Sequence, residues 1–379
     1  MLEEAGLGAP SYPTVKRHLP VFAADDFREA LAAVCADHAG LGTGVLVLYD
    51  VTTLFFETDT ADEFRVPGFS KERRLEPQIT IGLLVDASGF PLRVQAFEGN
   101  KAETTMLPTI EAFKAAHRLS DVTIVADAGM VSAGNQAAIE AAGLTYILGA
   151  KIPNVPYQVD QWRKTHVGQD IPDGHVFTQP WPANAKEKAA GQHDRTIFYR
   201  YQADRARRTL RGIDEQVGKA EQAVAGKVPV KRNRIVTLSG GDRAVNRDLE
   251  AKARALAGIK GYVTNLPDPT ADTVISAYHQ LWQVEKSFRM SKHDLQARPI
   301  YHRQRDSIEA HLNIVFAALA VSRWIEHHTG WSIKRFVRTA RRYRTIEIQA
   351  GEQRITAADP LPTDLHQALT AIRKAAGAH

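Results

Sequence analysis

The sequence predicts a mixed α/β fold in which helices cover a central sheet, and three observations carry that prediction. V-L-V-L-Y-D-V (Val45–Val51) and V-T-I-V-A-D (Val122–Asp127) are continuous aliphatic, β-branched runs of the kind buried on both faces of a sheet. Q-I-T-I-G-L-L-V (Gln78–Val85) and P-L-R-V-Q-A-F (Pro91–Phe97) flank D-A-S-G, the punctuation of a hairpin turn. Helical stretches alternate with these strands: Thr104–His117, then S-A-G-N-Q-A-A-I-E-A-A-G ahead of the strand T-Y-I-L-G-A. Strand, hairpin, helix, strand, helix, strand is the order of a sheet flanked by helices.

Along the chain, residues 1–44 read as a loop marked by Pro10, Pro13 and Pro20, then a short amphipathic helix, D-D-F-R-E-A-L-A-A-V-C-A-D-H. Residues 45–151 hold the first part of the α/β domain. From 152 to 270 the texture changes to Pro, Gly and charge, with strand-like pieces H-V-F-T-Q, R-T-I-F-Y-R-Y and N-R-I-V-T-L and a charged helical stretch from Asp204 to Gly226. This reads as a β-containing insertion. The domain resumes through K-G-Y-V-T-N (Lys260–Asn265) and residues 271–330, which include the apolar helix I-E-A-H-L-N-I-V-F-A-A-L-A-V-S-R-W-I; a basic C-terminal region, 331–379, follows.

The composition, 44% hydrophobic and 24% charged, is that of an ordinary soluble globular protein. A balance of 48 Lys and Arg against 43 Asp and Glu, +5 overall, permits nucleic acid as a partner. One cysteine, Cys35, excludes an intrachain disulfide and a cysteine-rich zinc site and reads as a small buried hydrophobe. Neither a signal-peptide pattern nor eighteen consecutive apolar residues is found, so a cytoplasmic location is expected. The fourteen histidines show no H-E-x-x-H spacing, and His311, on an apolar face, is expected in the core.

Y-H-Q-L-W-Q-V-E-K-S-F-R-M-S-K (Tyr278–Lys292) has no proline or glycine and reads as one helix. At about 100° per residue, Tyr278, Leu281, Trp282, Glu285, Arg289 and Lys292 share an arc, bordered by an apolar stripe of Leu281, Val284, Phe288 and Leu295. Two readings fit: a solvated face with a Glu285–Arg289 ion pair, or a functional stripe. Asp50 and Asp127 each end a buried-looking strand. Singly, each serves equally as a cap or turn residue. With Glu285 they offer three oxygen donors to a hard divalent cation.

On these residues the chain resembles the DDE transposases of bacterial insertion sequences, in the family named after insertion sequence four, and especially its branch with D-V-T-T-L-F-F-E around the first Asp. The resemblance runs from about Val45 to about Phe316. The family signature is a Tyr, two residues, an Arg, three residues, the catalytic Glu, six residues and a Lys. Tyr278, Leu281, Glu285 and Lys292 stand at those places, so the arginine is missing and Arg289 is the candidate replacement. D-A-G-M at Asp127 and K-G-Y-V-T-N agree as well. The resemblance implies a ribonuclease-H-like mixed sheet flanked by helices, with the first Asp on the first strand, the second on or just after the fourth and an insertion ahead of the Glu helix. It implies that Asp50, Asp127 and Glu285 are the catalytic and metal-holding residues, with two Mg²⁺ or Mn²⁺ ions, and that Tyr278, Arg289 and Lys292 bind DNA. Trp282 is expected in the core. The implied partners are double-stranded DNA, as element ends and target, and a second copy of the chain, in the bacterial cytoplasm and associated with the nucleoid. Relatives commonly carry a substantial N-terminal region for end recognition; residues 1–44 read as a short remnant of one.

Basic segments point the same way. Lys334, Arg335, Arg338, Arg341 and Arg342 lie mainly on one side of a helix whose other side has Ile333, Phe336, Val337 and Ala340. Arg205, Arg207, Arg208 and Arg211 form a second cluster, and Lys231, Arg232 and Arg234 a third. The expected activity is metal-dependent strand cleavage and strand transfer. Two alternatives stand beside it: a catalytically impaired or domesticated DNA-binding descendant, which has no need of three carboxylates, and a ribonuclease-H-like nuclease without strand transfer.

Overall fold

A computed structural model describes residues 8, 10–42, 44–58, 60–68, 75–101, 105–119, 121–128, 133–227, 236–239, 242–343 and 345–377. Two compact units are built from the chain: Met1–Val122 with Gln280–His379, and Thr123–His279.

The first unit opens with α1 (Tyr12–Ala23) and α2 (Asp25–Ala39). The proline-marked loop expected here is a helix instead. Pro13 occupies the first turn, where no amide hydrogen is needed, Ser11 caps that turn by accepting from the Thr14 amide, and Pro20 lies inside the helix, where it removes the bond that an amide there would give the Lys16 carbonyl. Asp25 and Asp26 open α2 and complement its dipole, and Gly40 closes it in the left-handed region. Cys35 is buried on α2, and burial pushes its thiol up to about 11. Next come β1 (Val45–Phe55), β2 (Gln78–Asp86), β3 (Pro91–Glu98) and α3 (Met106–His117). The strands form an antiparallel meander in the order β3-β2-β1, with Asp50 opposite Leu83 and Phe55 opposite Gln78. Every residue of β2 from Gln78 to Val85 is buried, the reason its sequence is continuously apolar rather than alternating. The D-A-S-G turn forms as expected, with the Asp86 carboxylate accepting from the Phe90 amide at 2.8 Å.

The second unit runs through β4 (Val122–Ala126), α4 (Ala133–Ala141), β5 (Thr145–Ala150), α5 (Tyr157–Thr165), β6 (Val176–Trp181), α6 (Ala185–Ala189) and β7 (Arg195–Tyr201). It continues with α7 (Ala203–Val224), a hairpin of β8 (Val236–Ser239) and β9 (Asp242–Val245), α8 (Arg247–Ala255), β10 (Ile259–Thr264) and α9 (Ala271–His279). Its strands are ordered β4-β5-β10-β7-β6. β4 and β5 are parallel and joined by α4, while β10 and β7 pair antiparallel. Val159, Ile171, Phe177, Tyr199 and Ile259 form an apolar cluster beneath α5. Thr264 and Asn265 extend the hold of β10 on β5 with side chains: Thr264 donates to the Tyr146 carbonyl at 2.6 Å and Asn265 accepts from the Tyr146 amide at 2.8 Å.

The chain then completes the first unit with α10 (Trp282–Arg289), a π-helical turn (Met290–Asp294), α11 (Arg305–Thr329), α12 (Ile333–Ala340), the hairpin β11 (Thr345–Ala350) with β12 (Gln353–Ala358), and α13 (Thr363–Ala376). The single helix expected from Tyr278 to Lys292 is thus divided: α9 ends at His279, Gln280 and Leu281 form a turn, and α10 starts afresh. α10 packs on β1 and β2, and α11 on α1, α13 and β3. By length and composition α11 is apolar enough to cross a membrane, but half of its apolar window is buried inside the protein. Asn313 donates to the Phe22 carbonyl at 2.7 Å and Arg323 is buried, so α11 is built as a core helix of this unit. A three-strand antiparallel meander, a helix, then a strand, a helix and a parallel strand make the mixed α/β, ribonuclease-H-like order that the sequence predicts.

Candidate active site

Asp50 sits inside β1 rather than at its end, because the strand continues through Val51-Thr-Thr-Leu-Phe55. Its side chain is half-buried and accepts from the Val51 amide at 2.8 Å. Strand alternation places Thr52 on the same face as Asp50 and turns Tyr49 to the other. Tyr49 is fully buried there, donates to Thr105 at 3.1 Å and is raised to about 12 by burial. On the Asp50 face, the Lys292 ammonium donates to Thr52 Oγ1 at 2.5 Å, pinning the π-helical turn to β1.

Glu285 is exposed on α10 and among the described residues makes no ion pair, so the expected intrahelical pair with Arg289, itself exposed, is not formed. What fixes α10 is its other side. Buried Arg323 of α11 donates to the carbonyls of Gly89 at 3.0 Å and Ser88 at 2.9 Å, and to Gln283 of α10 at 2.7 Å. Ser287 of α10 donates to the same Gly89 carbonyl at 3.2 Å, and Lys286 pairs with Glu326 at 2.7 Å. Gly89 has φ +85°, and a Cβ there would overlap the Arg323 guanidinium. The clamp holds α10 from behind and leaves Glu285 facing outward. Trp282, expected in the core, is 53% exposed, and Leu281 is half-buried rather than buried.

In the second unit, Asp127 directly follows β4 and is exposed. The Tyr278 hydroxyl donates to Asp127 Oδ1 at 2.5 Å. Tyr278 is only 5% exposed, and burial, then this bond, raise its phenol well above the ordinary value. The motif segment K-G-Y-V-T-N encloses it: the Tyr262 ring meets the Tyr278 ring edge-on at 5.0 Å, and the Lys260 ammonium lies over the Tyr278 ring at 4.2 Å. Gly149 on β5 makes the room, because a Cβ there would lie 2.7 Å from the Tyr278 hydroxyl.

The sequence matches the transposase DDE domain family model over residues 42–321. The chain belongs to this transposase DDE domain family. No curated protein sequence matches it. Among solved structures it is similar to a chain of the piggyBac transposase synaptic complex with hairpin DNA, with TM-score 0.43 and 10% identity over 87% of this chain and 52% of that one. The chain thus spans about half the length of that transposase chain.

The basic segments fare differently. Lys334, Arg338, Arg341 and Arg342 are exposed at and beyond α12, whereas Arg335 lies over the Trp331 ring at 3.9 Å and pairs with Asp364 at 3.2 Å. In the second cluster Arg207 pairs with Asp204. Lys231, Arg232 and Arg234 lie outside the described residues. His311 is partly buried against the Ala297 carbonyl at 3.2 Å. Among the described residues no three histidine, cysteine or acidic side chains gather as a metal cage. Sequence reasoning passed over Arg298, Tyr301 and Arg303 in R-P-I-Y-H-R, whose mix of cations and aromatics was the available signal, and it passed over Arg323, hidden in an apolar run.

Proposed function

We propose that this DDE domain cleaves DNA strands and joins the freed 3′ ends to target DNA, as an insertion-sequence transposase of a bacterial cytoplasm, with Asp50, Asp127 and Glu285 as its catalytic carboxylates. The observation that carries the reading is the placement of the three: one within the first strand, one directly behind the fourth, one exposed on a helix clamped from its far side.

By donor type the three suit a hard divalent cation, although among the described residues they do not gather as a cage. All three groups are carboxylates, Glu285 is exposed without a cationic partner among the described residues, and Asp127 gives one oxygen to Tyr278 and keeps the other. Mg²⁺ or Mn²⁺, when bound by these three, would supply positive charge at the phosphoryl oxygens and lower the pKa of the attacking hydroxyl. The chain's own residues do the rest. Lys292, braced by Thr52, presents an ammonium on the Asp50 side of β1 for a DNA phosphate, and exposed Arg289 supplies the cation that the signature places at Leu281. Tyr278 orients Asp127 through its hydroxyl. Lys334, Arg338, Arg341 and Arg342 hold duplex backbone, and a second copy of the chain serves the second element end.

Glu285→Gln keeps the shape and removes the charge. Strand cleavage is expected to vanish while duplex affinity stays within about twofold, read by nicking and gel-shift assays on the same DNA. Equal loss of both activities would make Glu285 a structural carboxylate and sink the assignment.

A further inference from the structure

Beyond the carboxylates, a cavity of about 490 Å³ opens at the C-terminal end of β1, lined by Arg65, Lys292, Arg298 and Arg303 together with Phe55 and Tyr301. Among the described residues of its lining, Glu57 is the one carboxylate beside four cations, of which Arg65 already pairs with Asp62. Three of the cations are braced before any ligand arrives. Arg298 lies over the Phe55 ring at 5.5 Å, Arg65 lies over the Phe56 ring at 5.3 Å while bonded to Asp62 at 2.7 Å, and Lys292 is held by Thr52. Tyr301 is 83% exposed, so its phenol is available as a further donor. Cations fixed in place lose little side-chain entropy when an anion binds them. The volume is in the range of pockets that take a ligand of many atoms, more than a lone phosphate ion fills.

We infer that this cavity is a binding site for the sugar–phosphate backbone of one DNA strand, separate from Asp50 and reached from it along β1. It rests on the reading of the chain as a DNA strand-cleaving enzyme. Asp50 and Phe55 are five residues apart on an extended strand, roughly 17 Å at about 3.3 Å per residue. Along a duplex axis, where each strand advances about 3.4 Å per nucleotide, a distance of that size spans roughly five nucleotides, so the cavity takes phosphates removed from the one at Asp50. It therefore grips the strand without reading its sequence, since phosphate contacts position but do not specify.

The test is the salt dependence of binding to a labelled duplex of arbitrary sequence, for wild type, Arg303→Ala and Arg298→Ala/Arg303→Ala. Each lost phosphate contact flattens the log–log slope by about 0.9, so slopes about one and about two units shallower are expected. Arg303 is exposed, so the single variant carries the test if the double one does not fold. Unchanged slopes in folded variants, beside a wild type that binds and cleaves, would overturn the cavity assignment alone. A wild type that fails to bind any duplex would overturn it together with the reading it rests on. Inorganic phosphate at constant ionic strength separates the two sources of anion: displacement of the duplex from wild type but not from Arg303→Ala would mark a small-anion pocket, and would also overturn the assignment.

Discussion

A phenol bonded 2.5 Å from a carboxylate, beneath a lysine and against a second ring, fixes that carboxylate's direction and has little freedom to do anything else. Tyr278→Phe preserves the packing and removes only the donor. We expect a stability cost of roughly 0.5 to 1.5 kcal/mol and a fall in cleavage of about 10- to 100-fold, the usual scale for a residue that orients a ligand-holding side chain. Duplex affinity and its salt slope should be unchanged. A slope shallower by about one would instead return the hydroxyl to a DNA phosphate, the role the signature suggests. Asp50, Asp127 and Glu285, the proposed carboxylates, stood out in the sequence because each is tied to a long apolar run or to a spaced motif. The bond from Tyr278 to Asp127 was not, because it joins residues 151 positions apart and depends on which way the tyrosine faces. That direction is lost when two turn residues intervene.

The strands were the most readable elements, since a run buried on both faces leaves an unbroken apolar signature. The turn at Gln280–Leu281 was hidden because neither residue is a helix breaker; the break is made by tertiary packing of α10 on β1 and β2. The clamp behind α10 is equally tertiary. Arg323→Ala should leave the buried Gly89 carbonyl with Ser287 alone, strip the Ser88 carbonyl of its Arg323 donor and cost about 2 to 5 kcal/mol, read as a shift in the urea midpoint. Leu281→Ala, at a half-buried position, should cost less than a core truncation, about 1 to 2 kcal/mol. If Leu281→Ala proves the costlier of the two, the turn rather than the guanidinium holds the helix. Likewise Arg335→Ala should lower stability more than it flattens the salt slope, because its guanidinium is engaged with Trp331 and Asp364, while Arg338→Ala should do the reverse.

At the scale of the whole molecule, the family and the mixed α/β order follow from sequence, while the cation-lined cavity does not, because its lining joins residues 55–65 to residues 292–303, far apart in the chain. Burial of ionisable groups adds a response to pH. In the first unit, burial lowers the pKa of His311 from its ordinary 6.5, although the Ala297 carbonyl works the other way. Burial, then Arg93, lowers that of His117. A histidine whose folded pKa lies below its unfolded one binds fewer protons when native, so the unfolded chain gains protons first on acidification. Their contribution is therefore complete above about pH 6.5 and is lost as pH falls from there through the folded values. Glu29 acts in a lower window. The Arg93 guanidinium bonded to it holds its carboxyl below the ordinary 4.5, so that stabilisation is present above 4.5 and fades beneath it. Urea midpoints should accordingly begin to fall just below pH 6.5, well before carboxylates protonate. In His311→Gln/His117→Gln the first decline should shrink, His279 of the second unit, also lowered by burial, keeping a share, while the Glu29 decline persists. Midpoints in the wild type that stay level from pH 8 down to the carboxylate range would show that neither histidine is kept neutral by the fold.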